Sequence, residues 1–148
     1  ARSSPSADAR RRAYEATVAR LGVESVGVVE GDWSAQSGLD AIRSLGEASL
    51  PLAVIAANDF IATGVIRGAL ERGWAVPGDV SVTGWDDSPT SAFQMPSLTS
   101  VSMDYVELGR RTADRLIALM RGEDPPAATD PLQHVVWRES TAAPAPSS

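Results

Sequence analysis

Short apolar segments alternate with segments of helical period, and this alternation restricts the fold more than any other feature of the chain. Apolar spacing, caps and glycine stops predict helices over residues 8–21, 35–45, 60–72 and 104–121. Apolar runs predict strands over residues 25–29, 52–57, 80–85, 98–102 and 132–137. The continuous apolar run at 52–57 is typical of a strand buried on both faces. We therefore expect an α/β fold with a doubly wound parallel sheet.

Composition excludes several function classes. The 148 residues suffice for one ordinary domain. There is no cysteine and no lysine, so all 13 basic residues are arginine; this removes thiol nucleophiles, cysteine-ligated metals, Walker A loops and Schiff bases. The net charge of −6 disfavours nucleic-acid binding by this piece itself. No apolar stretch is long enough for a bilayer, and we expect no membrane partner and no cofactor.

Aromatic, carboxylate and amide residues collect just after the predicted strands, where open α/β sheets bind their ligands. They are Glu30 to Trp33, Asn58, Asp59, Trp85 to Asp87 and Ser102 to Tyr105. This mixture suits a sugar better than a phosphate, because sugars offer hydroxyls to polar groups and an apolar face to aromatic rings.

Each of these residues also has a structural interpretation. We expect Asp59 to be a helix N-cap and Trp85 to pack in the core, whereas Asn58 and Asp86 are the better binding candidates. Asp87 is equally compatible with a turn and with a site.

A catalytic or metal site has little support. Asp86 and Asp87 are adjacent, so their side chains diverge and do not flank one bond as a glycosidase pair must. His134 is the one histidine and alternates with apolar residues, which favours a structural role. We therefore predict neither catalytic nor metal-ligating residues, and no enzyme.

Five strings resemble the effector-binding region of the lactose repressor and galactose repressor family. They are EGDWSAQSG from Glu30, AANDFIATG from Ala56, DVSVTGWDD from Asp79, PSLTSV from Pro96 and YVELG from Tyr105. The resemblance runs from about Ser3 to Pro144.

It implies a periplasmic-binding-protein-like sensor of type I, with two subdomains hinged around a small ligand. By motif position it implies ligand-binding roles for five residues: Arg10, Trp33, Asn58, Asp86 and Tyr105. Met103 and Trp85 depart from the family pattern, which leaves the particular sugar open.

The resemblance also implies an arrangement of parts. Residues 1–138 would be the C-terminal part of the effector-binding domain, without the first subdomain or the DNA-binding head. The segment 102–122 would hold a crossover helix that packs on the absent first subdomain, and residues 139–148 would be a disordered tail. A homodimer is expected, with interface candidates Thr63, Ile66, Phe93 and Met95.

The leading functional hypothesis is a cytoplasmic bacterial repressor that senses a β-galactoside or β-glucoside and contacts operator DNA through its N-terminal head. Sugar binding would change operator affinity allosterically, with Tyr105 connecting ligand and hinge. The alternative is an exported sugar-binding protein of a transport system, which would share the fold.

Overall fold

A computed structural model describes residues 5–46, 50–127 and 130–143. It contains helices α1 (Pro5–Leu21), α2 (Ala35–Ser44), α3 (Asp59–Glu71) and α4 (Tyr105–Arg121). The strands are β1 (Leu52–Ile55), β2 (Val80–Trp85), β3 (Thr99–Met103) and β4 (Gln133–Val136), and a short 3-10 helix spans Ser91–Phe93.

The four strands form one sheet in the order β1-β2-β3-β4. β1, β2 and β3 are parallel, as the alternation of strands and helices predicts. β4 pairs antiparallel with β3, with Ser100 opposite Val136, so the sheet is mixed at this edge. Mixed sheets with one antiparallel edge strand are common among α/β folds.

The prediction of a strand at residues 25–29 is wrong, and the prediction for β1 is confirmed as a strand but not in its burial. Residues 25–29 form no ladder with any strand of the described residues, and their valines are exposed. β1 is an edge strand that alternates between partly buried and exposed residues, and Ile55 is exposed. The continuous apolar run therefore does not mark a strand covered on both faces.

The core lies between α2, α3 and the central strands. It is formed by nine buried apolar residues: Ile42, Ala56, Ala62, Val65, Ile66, Ala69, Val80, Val82 and Leu98. Helices α2 and α3 approach each other backbone to backbone, since a Cβ on Gly64 would lie 1.8 Å from the carbonyl oxygen of Ala35. This contact holds α3, and with it the ends of β1 and β2, in a fixed position.

The predicted helix boundaries follow their local signals. The Ser34 hydroxyl accepts the amide N–H of Ser37 and caps α2. Gly22, Gly73 and Gly122 adopt positive φ directly after or near the helix ends, where glycine is favoured. α4 starts one residue later than predicted, because Asp104 is its N-cap and accepts the N–H of Glu107.

The prediction of a disordered tail from residue 139 is wrong for its first residues. Ser140 is fully buried, its hydroxyl donates to the carbonyl of Val82 at 2.6 Å, and it accepts the N–H of Thr99 at 2.8 Å. Glu139 accepts the N–H and the hydroxyl of Ser97. These contacts fasten residues 139–142 to the sheet; residues 144–148 lie outside the described part.

Candidate functional site

The candidate site lies where β1 and β2 end and α3 begins. Asn58 follows β1 after a short link, Trp85 is the last residue of β2, and Asp86 comes next. Because the two strands are parallel and hydrogen-bonded neighbours, their carboxyl ends lie side by side. The fold therefore brings these residues to one edge, as the rule for open α/β sheets predicts.

Arg10 reaches this edge from α1. Its Nη1 donates a 2.8 Å hydrogen bond to the carbonyl oxygen of Ala57. Its guanidinium carbon lies 4.5 Å from the ring centroid of Trp85 and 5.8 Å from that of Trp33, both within cation–π range. Its Nε is buried and has no hydrogen-bond partner among the described residues. The Arg10 guanidinium therefore lies close to both indole rings and is fixed to the end of β1 by its bond to Ala57.

Asn58 builds the site as well as lying in it. Its Oδ1 accepts the N–H of Ile61 at 2.8 Å, so Asn58 is the N-cap of α3. Its Nδ2 donates at 3.0 Å to the carbonyl of Trp33, which has positive φ and is 39% exposed. One amide therefore fixes both the start of α3 and the loop that carries Trp33. A second N–H and a second lone pair of the amide stay available.

The prediction that Asp59 is the N-cap is therefore wrong. Asp59 is the first residue of α3 and only 4% exposed. Instead of capping its own helix, its carboxylate accepts a backbone N–H from Ser88 and hydroxyls from Ser91 and Ser100. A buried carboxylate needs such donors, since an unsatisfied buried charge is costly.

Asp86 is the carboxylate that the site presents outward. Its backbone φ is 97°, a left-handed value that is uncommon for a residue other than glycine. Burial raises the pKa of the Asp86 carboxyl above its ordinary value, the negative charge of Asp59 raises that pKa further, and Arg10 opposes both effects. An acceptor beside a cation and two aromatic rings is a suitable arrangement for binding hydroxyl groups.

Asp87 takes the structural one of its two possible roles. Its carboxylate forms an ion pair with Arg138 at 2.7 Å, and both side chains are largely buried. Arg138 also donates to the carbonyl of Leu98 at 2.7 Å. The side chain of Asp87 is thereby used to connect the end of β2 with the segment after β4.

Tyr105 is not joined to the other candidates by any hydrogen bond or ring contact among the described residues. It is the first residue of α4, two positions beyond the end of β3, and it is exposed. Its ligand-binding role stays a prediction.

The interface candidates divide into two groups. Thr63 is exposed, and Phe93 and Met95 are 87% and 91% exposed, so they remain candidates. Ile66 is 5% exposed and belongs to the core, so its prediction as an interface residue is wrong: it has almost no surface left to bury against a second copy.

Trp85 is the functional candidate that sequence reasoning assigned to the core. It is half-buried, and one face of its ring is covered by the Arg10 guanidinium. The available signal was its position as an aromatic residue at a strand end beside Asp86. The missing information was the arginine partner, which is far away in the sequence.

Two further features are absent from the described part of the chain. No group of three or more histidine, aspartate or glutamate side chains there could hold a metal ion. None of the helices described there has the length and apolar character needed to span a membrane.

Comparison with known proteins places this chain in a family. Residues 1–141 match the model of the periplasmic binding protein-like domain. The lactose operon repressor of Escherichia coli is 37% identical over 122 residues, which are 82% of this chain and 34% of the repressor. The chain thus spans about a third of that relative.

Solved structures of related regulators have the same fold as this chain. A sugar-binding transcriptional regulator from Escherichia coli, described as a member of the LacI family, superposes with a TM-score of 0.82 at 29% identity, over 97% of this chain and 53% of that chain. The lac repressor dimer bound to operator and an anti-inducer gives a TM-score of 0.79 at 33% identity, over 93% of this chain and 49% of that chain. The chain therefore belongs to the periplasmic binding protein-like domain family, within the group formed by effector-binding regions of lactose repressor and galactose repressor proteins.

Proposed function

We propose that the chain is the effector-sensing part of a sugar-responsive transcriptional repressor, and that its effector is a small neutral saccharide such as a β-galactoside or β-glucoside. The observation that carries the proposal is the position of Arg10 between Trp33 and Trp85, beside Asp86 and Asn58. Aromatic faces suit the apolar side of a pyranose ring, and the polar groups suit its hydroxyls.

Each polar group has a specific capacity in this proposal. Asp86 accepts hydrogen bonds from sugar hydroxyls, and the guanidinium of Arg10 donates hydrogen bonds to a sugar oxygen. Asn58 offers its remaining N–H and lone pair. A phosphorylated or otherwise anionic effector is disfavoured, because Asp59 and Asp86 add negative charge at the same edge.

The test is isothermal titration of the full-length protein with methyl β-galactoside and methyl β-glucoside. Replacing Asp86 with alanine should weaken binding about tenfold or more, since a hydrogen bond to a charged group contributes about 1.5 to 3 kcal/mol. Asp114→Ala is the control, because Asp114 is an exposed carboxylate on α4 that pairs with Arg110. Equal affinity of Asp86→Ala and wild type would reject the site.

The proposed repressor works as a cytoplasmic homodimer. Phe93 is the last residue of the 3-10 helix, and Met95 lies two residues after it. Both side chains are exposed, and exposed apolar side chains favour a protein contact. Together with Thr63 they form the proposed contact with the second copy. Sedimentation of the full-length protein tests it: Phe93→Asp should shift the dimer toward monomer, and a fully intact dimer would contradict this interface.

Operator DNA is contacted through an N-terminal head in the complete protein. The sugar changes operator affinity because it binds one arrangement of two subdomains better than the other. α4 would connect the arrangements: its apolar residues Val106, Leu116, Leu119 and Met120 are exposed and suit packing on a first subdomain. Tyr105, at the start of α4, is the proposed connection to the ligand.

A further inference from the structure

Three consecutive backbone N–H groups after β2 are each held by a different acceptor. The N–H of Asp86 donates to the carbonyl of Val101 at 2.9 Å, and that of Asp87 donates to the hydroxyl of Ser100 at 3.1 Å. The N–H of Ser88 donates to the carboxylate of Asp59 at 2.6 Å. We name residues 86–88 the Asp86 turn. Every amide of the turn is therefore restrained by α3 or β3.

The restraint acts on a backbone that would otherwise relax. Asp86 has φ 97° and Asp87 has φ 49°, two successive left-handed values on residues with a Cβ. Such conformations cost free energy and persist only where the surroundings enforce them. The direction of the Asp86 side chain thus depends on the groups that hold the turn.

Two of the three acceptors belong to one buried network around Asp59. The hydroxyl of Ser100, which is fully buried, donates to Asp59 Oδ1 at 2.6 Å while its oxygen accepts the N–H of Asp87. Asp59 Oδ2 accepts the N–H of Ser88 and the hydroxyl of Ser91. Ser100 therefore transmits the position of the Asp59 carboxylate to the turn.

The residue before Trp85 leaves room for this network. A Cβ on Gly84 would lie 2.2 Å from Asp59 Oδ1 and 2.9 Å from Leu98 Cδ2, inside the closest distances that carbon and oxygen tolerate. The carboxylate is thus packed directly on the β2 backbone, one residue before the Trp85 ring that faces Arg10. The network has a fixed position relative to both parts of the site.

We propose that Asp59 and Ser100 are positioning residues, which do not touch the effector but hold the Asp86 turn in its binding geometry. The inference rests on the proposed function, because it assigns Asp86 to effector binding. If this is so, loss of the Ser100 hydroxyl weakens effector binding more than an equal loss of overall stability would.

The chain offers a matched control for this substitution. Ser140 is also fully buried, and its hydroxyl also donates one hydrogen bond and accepts one, to Val82 and from Thr99. Both of its partners are backbone groups within the sheet, and none belongs to the turn. Ser100→Ala and Ser140→Ala therefore remove comparable buried hydroxyls, and only the first acts on the turn.

The experiment has two arms on the full-length protein. In the first, hydrogen–deuterium exchange without sugar should show faster exchange of the amides of residues 86–88 in Ser100→Ala than in Ser140→Ala. In the second, titration with methyl β-galactoside and methyl β-glucoside should show about a five- to tenfold loss of affinity for Ser100→Ala, the effect of one lost buried hydrogen bond. Ser140→Ala should bind within about twofold of wild type.

The outcomes separate the positioning role of Ser100 from the proposed effector class. Unchanged exchange of the turn in Ser100→Ala, or unchanged affinity, overturns the positioning role. Equal loss of affinity in both serine variants also overturns it, because a general loss of stability would then explain the effect. If wild type binds neither sugar, the proposed effector class fails, and the exchange comparison alone decides whether Ser100 holds the turn.

Discussion

Replacement of Arg10 by alanine should destabilise the protein far more than an ordinary arginine substitution on the same helix. None of the described residues of α1 is buried, and Arg10 joins this helix to the sheet edge through Ala57 and Trp85. The substitution removes a hydrogen bond from a charged donor to Ala57, which contributes about 1.5 to 3 kcal/mol. It also removes the cation–π contact with Trp85, which contributes about 0.5 to 2 kcal/mol.

The expected total lies in the lower half of the summed range, because the site is open to solvent. We expect the free energy of unfolding to fall by about 2 to 3 kcal/mol. Arg11→Ala is the control: Arg11 is the next residue of the helix, and it pairs with Glu15 where both side chains are half-exposed. Such a pair contributes less than about 1 kcal/mol, and alanine suits the helix equally at both positions.

The assay is urea unfolding of the full-length protein and its two variants, followed by tryptophan fluorescence. Trp33 and Trp85 flank Arg10 and should report its loss directly. The midpoint should fall clearly for Arg10→Ala and little for Arg11→Ala. Similar midpoints for the two variants would show that Arg10 contributes no more to stability than an exposed surface residue.

Three further predictions follow from other contacts. Gly64→Ala should lower the free energy of unfolding in urea titrations by about 1 to 3 kcal/mol, because the new Cβ clashes with Ala35. Gly109→Ala on α4 is the control: its Cβ would meet no atom within 4 Å, so the free energy of unfolding should rise by up to about 1 kcal/mol. Asp86→Asn should raise Tm at pH 7. The pKa of Asp86 is raised in the folded state, so the wild-type protein loses stability as pH rises through that pKa. The difference in Tm between Asp86→Asn and wild type should therefore shrink toward pH 4. Hydrogen bonds from Arg110 and Arg111 lower the pKa of Glu107 to about 2. Circular dichroism should therefore show a loss of helix signal from α4 as pH falls from about 4.5 toward 2, because protonated Glu107 no longer pairs with the two arginines. Glu107→Gln should abolish this pH-dependent loss.

The sequence predicts those features of the fold that depend on local signals. The Ser34 cap and the glycines at 22, 73 and 122 mark helix ends because they act on neighbouring backbone groups. The alternation of elements likewise predicts the parallel core of the sheet. The antiparallel direction of β4 and the buried position of Ser140 depend on pairings between distant segments, which periodicity does not contain.

The candidate site shows the same division. Asn58 and Asp86 are recognisable as polar residues at strand ends, and the structure brings them to one edge. Which of two adjacent polar residues caps α3 depends on the donors around Asp59, and these come from distant segments of the chain. The contact of Arg10 with Trp85 could not be predicted from the sequence either, because the two residues are far apart in the chain.

In the proposed function, sugar binding at this edge controls DNA binding by the complete protein. Its most direct test is the affinity of the full-length protein for a DNA site selected from a random pool, measured with and without methyl β-galactoside or methyl β-glucoside. We expect the affinity for DNA to change by about 5- to 150-fold, the usual range of allosteric coupling, and to change less for Tyr105→Ala. If a sugar binds and the affinity for DNA stays the same, the protein is not a sugar-responsive repressor, and a transport role is favoured.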